Sequence, residues 1–208
     1  MKKKRVLIVF YSFTQQTRLL VKQFMAGLED EGVTVALQRL EPVKPYDFPF
    51  TSNMNLAWAM FQTFIRKRMA IHPLNPDNMS QWDCIVIAGP TWSYNPSGPV
   101  LTFLDTHGST LCKGQRILPF ISCRSYWRIH YWTIKYELRK TGADVHTPVV
   151  FQHPIKEPWR IIGLILQLRG KMMRKENSWF RKQYPRYGHS KEQVKEAFER
   201  GRLFAEKL

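Results

Sequence analysis

The chain has 208 residues, 44% hydrophobic and 13% aromatic, with 32 Lys and Arg against 16 Asp and Glu for a net charge of +16. That length favours one domain, spanning residues 1–208, with room for a core, and the composition excludes wholesale disorder. Three cysteines, Cys84, Cys112 and Cys123, form neither a CxxC pair nor an even framework. This argues against structural zinc and favours a reducing compartment. No stretch approaches the ~20 apolar residues of a spanning helix, and no cleavage-like site follows the first apolar run. The expected setting is cytoplasmic, either soluble or peripheral on the inner face of the cell membrane.

In chain order, residues 5–11 form a nearly continuous apolar run, as in a strand covered on both faces. Thr17 is placed to cap a helix carrying Leu20, Phe24, Met25 and Leu28 inward and ending near Gly32. Residues 33–40 are a second strand. Residues 41–82 open with Pro42, Pro45 and Pro49 and then follow a helical pattern through Leu56, Met60, Phe61, Phe64 and Ile65. The pattern ends on Arg66, Lys67 and Arg68, cations that suit a helix carboxyl end. A third strand covers residues 84–88, and Pro99 sits where the first turn of the next helix tolerates it. Residues 116–122 are a fourth strand, 131–141 a helix and 145–151 a fifth strand, with Pro148 suited to a sheet edge. Residues 190–208 form a closing helix with Val194, Phe198, Leu203 and Phe204 inward. Alternating strands and helices predict an α/β fold: a doubly wound, five-stranded parallel sheet.

Residues 154–189 interrupt this alternation as a basic, apolar helical insertion before the last helix. They hold nine bases (Lys156, Arg160, Arg169, Lys171, Arg174, Lys175, Arg181, Lys182, Arg186) and two acids (Glu157, Glu176). Trp159 to Leu168 are strongly apolar, Met172 and Met173 follow, and Trp179, Phe180, Tyr184 and Tyr187 are spaced among the later bases. Such composition suits a helix lying in a membrane interface. The alternatives are a contact in a homodimer and packing on its own domain, and the three stay open, with the basic flanks favouring the membrane interface.

Two loops carry the chemistry. YSFTQQT (residues 11–17) ends a strand and opens a helix, so free N–H groups and the helix dipole favour a phosphate there. GPTWSYNPSGPVLTFLD (residues 89–105) ends the third strand and offers Trp92 and Tyr94 to a flat ring. Carboxyl ends of strands in an open parallel sheet flank the crevice where ligands bind.

Residues 5–151 together with the closing helix resemble the flavodoxin-like FMN-protein superfamily. YSFTQQT looks like its phosphate loop, and Gly89 to Asp105 are similar to its Gly-x-Pro-x-Trp loop leading into a Pro-x-x-x-Phe-Leu helix start. The resemblance implies a sheet in the order 2-1-3-4-5 with FMN at its edge. It implies Ser12, Thr14, Gln15, Gln16 and Thr17 around the phosphate. Pro90, Thr91, Trp92, Ser93, Tyr94 and Asn95 would run along the isoalloxazine, with Ser122, Cys123, Arg124 and Trp127 closing the other side. Gln15 stands where the family usually has Gly, a change that is harmless with a negative φ and otherwise weakens the approach of the phosphate. Within the superfamily the motifs resemble both the NAD(P)H-dependent FMN reductases and the flavodoxin-type protoporphyrinogen oxidases.

The function so implied is an FMN-dependent oxidoreductase, peripheral on an anionic membrane through residues 159–187. It would pass electrons from a reduced donor to a quinone-like or aromatic small-molecule acceptor. The alternative is a cofactor-free binding protein of the same fold, with the insertion engaging anionic lipid, protein or nucleic acid. No nucleic-acid module is visible, which counts against the last partner. Arg124 and Arg128 are candidates to stabilise negative charge, Cys123 reads as a buried thiol, and His107, His130, His146 and His153 show no metal-ligand spacing.

Overall fold

The computed structural model describes residues 3–75, 77, 82–171 and 179–208. In chain order the strands are β1 (Arg5–Phe10), β2 (Thr34–Arg39), β3 (Cys84–Trp92), β4 (Asn95–Pro96), β5 (Arg116–Cys123), β6 (Asp144–Val145) and β7 (Val149–Gln152). The helices are α1 (Gln16–Asp30), α2 (Asn53–Phe64), α3 (Gly98–His107), α4 (Trp127–Lys140), α5 (Trp159–Leu168), α6 (Trp179–Gln183) and α7 (Lys191–Ala205).

The parallel sheet runs β2-β1-β3-β5, with β6 and β7 both on the outer side of β5. With the short antiparallel β4 set aside, this is the order 2-1-3-4-5 of a flavodoxin-like fold. The expected fifth strand is two pieces, because the chain leaves the ladder around Pro148, which has no N–H to donate.

Side chains of β1 alternate between two cores. Val6, Ile8 and Phe10 pack under α1 and α7 with Leu20, Phe24 and Ala197. Leu7, Val9 and Tyr11 pack on the other face with Val100 and Phe103 of α3 and Ile134 and Leu138 of α4. The closing helix differs from expectation at Leu203, which is 54% exposed. Its buried positions are Ala197 and Gly201, because α7 lies against α1 almost backbone to backbone. A Cβ at Gly201 would meet the Phe24 carbonyl oxygen at 2.2 Å.

Helix α2 also departs from its reading. Leu56 is buried, but Met60, Phe61, Phe64 and Ile65 are 49–60% exposed, and Ala59, Gln62 and Thr63 face inward instead. The basic triplet after it is structural: Arg66 Nε donates to Asn95 Oδ1 at 3.0 Å, and Arg68 pairs with Asp105 at 2.8 Å.

Helix α5 of the insertion packs on its own domain. Near its start Arg160 donates to Glu157, to the Arg124 carbonyl and to Ser125 Oγ. In its middle Gly163 lies so close to the Tyr184 ring that a Cβ would meet it at 2.5 Å. At its end the Leu168 carbonyl accepts from Phe50 N–H at 2.8 Å, and Arg169 donates to the Phe50 carbonyl. Its outer face leaves Ile161, Ile162 and Ile165 38–50% exposed. Met172, Met173, Arg174, Lys175 and Glu176 lie outside the described residues, as does the side chain of Arg181. Among the described residues no helix is long and apolar enough to cross a membrane.

Candidate functional site

The carboxyl ends of β1, β3 and β5 open into one cleft of about 530 Å³, walled by α2 and roofed by the insertion. That volume is in the range of small-molecule and cofactor sites. Twelve of the fifteen site residues expected from sequence line it: Ser12, Thr14, Gln16, Thr17, Pro90, Thr91, Trp92, Ser93, Tyr94, Ser122, Cys123 and Arg124. Gln15, Asn95 and Trp127 do not line it.

The loop after β1 is shaped by Gln15. Its φ is 64°, the left-handed region that glycine favours, so of the two outcomes left open by the sequence the harmless one, a negative φ, does not apply. Gln15, not Thr17, is the residue that caps α1, and it makes no side-chain cap. Its exposed side chain accepts from Arg18 instead, at 3.3 Å. Ser12 Oγ accepts from the Arg18 N–H at 3.2 Å, and Thr17 is buried. The loop therefore keeps the backbone turn of a glycine while carrying a glutamine.

The second wall is a tight hairpin, since β3 continues past Ala88 to Trp92 and pairs with β4. Its two turn residues, Ser93 and Tyr94, have φ of 42° and 72°, the backbone of a two-residue hairpin turn that Asn-Gly usually occupies. Helix α2 holds it in place. Thr63 Oγ1 and Ser93 Oγ lie 2.8 Å apart, and Asn95 Nδ2 donates to the Thr63 and Phe64 carbonyls. Asn95 is thus a brace behind the wall. Trp92 packs edge-on against Tyr11 and Phe13, with ring centroids 5.6 and 5.4 Å away.

The third wall follows β5. Tyr126 faces Tyr94 across the mouth, ring centroids 4.8 Å apart and nearly perpendicular. Arg124 is committed to the insertion: it donates to Tyr184 Oη at 2.9 Å and its guanidinium lies 4.8 Å from the Tyr187 ring centroid. Arg128 lies over Trp127, the first residue of α4, which begins four residues earlier than expected. Of the five non-glycine residues with positive φ among the described residues, Gln15, Ser93, Tyr94 and Tyr126 all belong to these three loops. Backbone held in sparsely populated regions clusters at functional sites.

Three imidazoles tie the walls together, each with its pKa lowered by burial. His130 Nδ1 lies 2.8 Å from Thr91 Oγ1, and its pKa falls to about 3. His153 sits 2.8 Å from the Tyr187 carbonyl and falls to about 4, with Arg124 adding to the effect. His189 Nε2 lies 2.8 Å from Ser122 Oγ, and the His189 backbone N–H donates to Gln16 Oε1 at 3.0 Å. Burial pushes the Cys123 thiol up to about 12, so it is an inert neighbour. Among the described residues no group of His, Cys, Asp and Glu could hold a metal ion.

Sequence reasoning missed the wall from α2 and the roof residues His153, Arg160, Leu164, Leu168, Tyr187 and His189. A signal for α2 was present: Met54, Trp58, Met60, Phe61, Phe64 and Ile65 are more apolar positions than one buried stripe needs. His189 gave none, since its partner Ser122 is 67 residues away.

No protein-family model matches the sequence, and no curated protein matches it. Among solved structures the chain is similar to a flavodoxin from the domain Archaea, with 13% identity over 98% of this chain and 97% of that one and a TM-score of 0.55. Oxidised flavodoxin 1 from Bacillus cereus gives 13% identity, 99% coverage of both chains and a TM-score of 0.56. A flavoprotein from Lactobacillus acidophilus NCFM, in complex with FMN, gives 19% identity over 71% of this chain and 92% of that one, with a TM-score of 0.56. The fold is flavodoxin-like.

Proposed function

We propose that the chain binds FMN in this cleft and works as a flavin-dependent oxidoreductase at the surface of an anionic membrane. One observation carries the reading: a hydroxyl-bearing loop at the start of α1 and two loops bearing exposed tyrosines line the same cleft. The flavodoxin-like fold, and the FMN held by the flavoprotein from Lactobacillus acidophilus, support it.

The residues fit the group. The left-handed turn at Gln15 lets the first turn of α1 face the loop without a side-chain cap, which suits a phosphate. Ser12, Thr14 and Thr17 supply hydroxyls beside it. Tyr94 and Tyr126, 41% and 59% exposed, would flank the ring system at the mouth. When bound, FMN supplies hydride and one-electron transfer. The protein would orient it: His130 fixes Thr91, α2 fixes the hairpin, and Arg160 ties the roof to the loop after β5.

The membrane part rests on charge and exposure. The net charge is +16, Ile161, Ile162 and Ile165 are exposed on α5, and Trp179 is 64% exposed. Lys156, Lys171 and Lys182 are exposed beside them. Bases around an exposed apolar face suit an anionic bilayer.

Titration of flavin fluorescence with the protein tests the binding reading. FMN should be bound at least tenfold more tightly than riboflavin, which lacks the phosphate, and Thr17→Val should reduce that preference. Equal, weak binding of both would contradict it.

A further inference from the structure

We infer that Ser122, His189 and Gln193 form a nucleophile, a base and an orienting acceptor that cleave carboxylic esters by acyl transfer to Ser122. The activity uses the same cleft as the flavin and does not depend on it.

One chain of contacts fixes the direction of each hydrogen bond. Gln193 Nε2 donates to the Gln152 carbonyl at 2.7 Å, so the amide oxygen points the other way. That oxygen accepts from the Ser190 N–H at 3.1 Å, the reciprocal bond of a capping box at the start of α7. It also lies 3.2 Å from His189 Nδ1. An acceptor there requires the proton on Nδ1, which leaves Nε2 with its lone pair. Ser122 Oγ, 2.8 Å from Nε2, must then donate its own hydrogen to the imidazole. A hydroxyl bonded to a neutral imidazole, whose other nitrogen is held by an acceptor, is the arrangement that activates a serine.

Ser122 and His189 both line the cleft although each is buried. Burial lowers the His189 pKa against the opposing pull of Gln193, so the imidazole is neutral at pH 7 and able to take a proton. Gln16 supplies a third part. Its Oε1 accepts from the His189 backbone N–H at 3.0 Å, and its Nε2 has no hydrogen-bond partner among the described residues. Gln16 also lines the cleft, so this amide N–H is a donor for the oxygen of a substrate carbonyl.

In the first step Ser122 Oγ bonds to the ester carbonyl carbon while its proton passes to His189 Nε2. The ester C–O bond then breaks, and the alcohol leaves with that proton. Water, losing a proton to the same nitrogen, splits the acyl–Ser122 ester and releases the carboxylic acid. No electron is transferred and both groups return to their starting state.

The experiment treats the FMN-free protein with an alkyl fluorophosphonate, which bonds through phosphorus to an activated serine and expels fluoride, and maps the adduct by peptide mass spectrometry. Release of nitrophenolate from p-nitrophenyl acetate is followed in parallel. The adduct should sit on Ser122, and Ser122→Ala should abolish both signals. His189→Gln should slow both by at least ~100-fold, the scale of a lost general base. Labelling should rise with pH through a midpoint below 6.5, the ordinary histidine value. Gln193→Glu keeps an acceptor toward Nδ1 and adds a charge that favours the imidazolium, so it should raise that midpoint by roughly one pH unit. An unmoved midpoint overturns the orienting role of Gln193. No adduct on Ser122 in the wild-type protein overturns the whole inference, as does labelling that His189→Gln leaves at full rate. Retention of FMN is read separately by absorbance on untreated protein. An adduct without FMN retention overturns the flavin reading and leaves the serine nucleophile standing; FMN retention without an adduct does the reverse.

Discussion

Arg160 donates its guanidinium to the backbone carbonyl of Arg124, joining the first turn of α5 to the loop after β5 across 36 residues. The same side chain bonds Glu157 at 2.8 Å and Ser125 Oγ at 3.3 Å, and it is 8% exposed as a residue. A buried cation with three partners holds the roof over the cleft. Arg160→Met should lower stability by about 1–3 kcal/mol, the cost of lost bonds to a charged donor. Hydrogen exchange should rise within α5 and the loop around Arg124 before it rises in the sheet. Uniform exchange across the molecule would show that the roof is held elsewhere.

Gln15 carries a backbone that a side chain disfavours, with φ of 64°. Relief of left-handed strain is worth ~1–2 kcal/mol for a non-glycine residue, and the added freedom of glycine in the unfolded chain takes back ~0.4–1 kcal/mol. Gln15→Gly should therefore raise stability by about 0.5–1 kcal/mol, and Gln15→Val should lower it. Urea unfolding of the three proteins checks the order. A stabilised valine variant would mean that the loop does not hold this turn.

The buried imidazoles make the fold sensitive to acid. His130 and His153 fall to about 3 and about 4 from an ordinary 6.5, so the unfolded chain takes up protons that the folded chain refuses. Stability from these groups is complete above pH 6.5 and is lost as pH falls from there toward the folded values. Replacing His130, the fully buried one, by Gln should flatten the decline by up to about 1.4 kcal/mol per pH unit below pH 6.5. Unfolding curves at pH 7, 6 and 5 compare the slopes, and parallel slopes would show His130 protonated in the fold.

The outer face of α5 gives a test of membrane attachment. The protein should sediment with vesicles of phosphatidylglycerol and phosphatidylcholine, and less so as salt screens its charge. Ile161→Asp with Ile165→Asp should weaken that binding by roughly tenfold or more. Binding that is equal on neutral vesicles, or indifferent to both substitutions, would remove the membrane from the account.

Much of the frame was legible because strands covered on both faces leave continuous apolar runs, as at Val6 to Phe10 and Ile85 to Ala88. The two ligand loops were legible for the same reason, since each directly ends such a run. What could not be read was tertiary. Asn95 looks like a loop residue facing a ligand, but it bonds the carbonyls of Thr63 and Phe64 more than thirty positions away (|i−j| of 32 and 31). Arg124 looks like a free cation until Tyr184 and Tyr187 fold onto it. The positive φ at Gln15 had one hint, the Gly that the resembled loop carries at this position, and the glutamine itself obscured it. The insertion reads as an amphipathic helix from its sequence alone, and only its contacts with Phe50, Arg124 and Tyr184 show that it also roofs the cleft.

Whether this cleft holds FMN is read from the visible spectrum. Purified protein is incubated with FMN, passed over a desalting column and its absorbance recorded. Flavin bands should travel with the protein near one FMN per chain, and Ser12→Ala with Thr17→Val should reduce that yield. A colourless protein fraction, with all FMN in the small-molecule fractions, would contradict it.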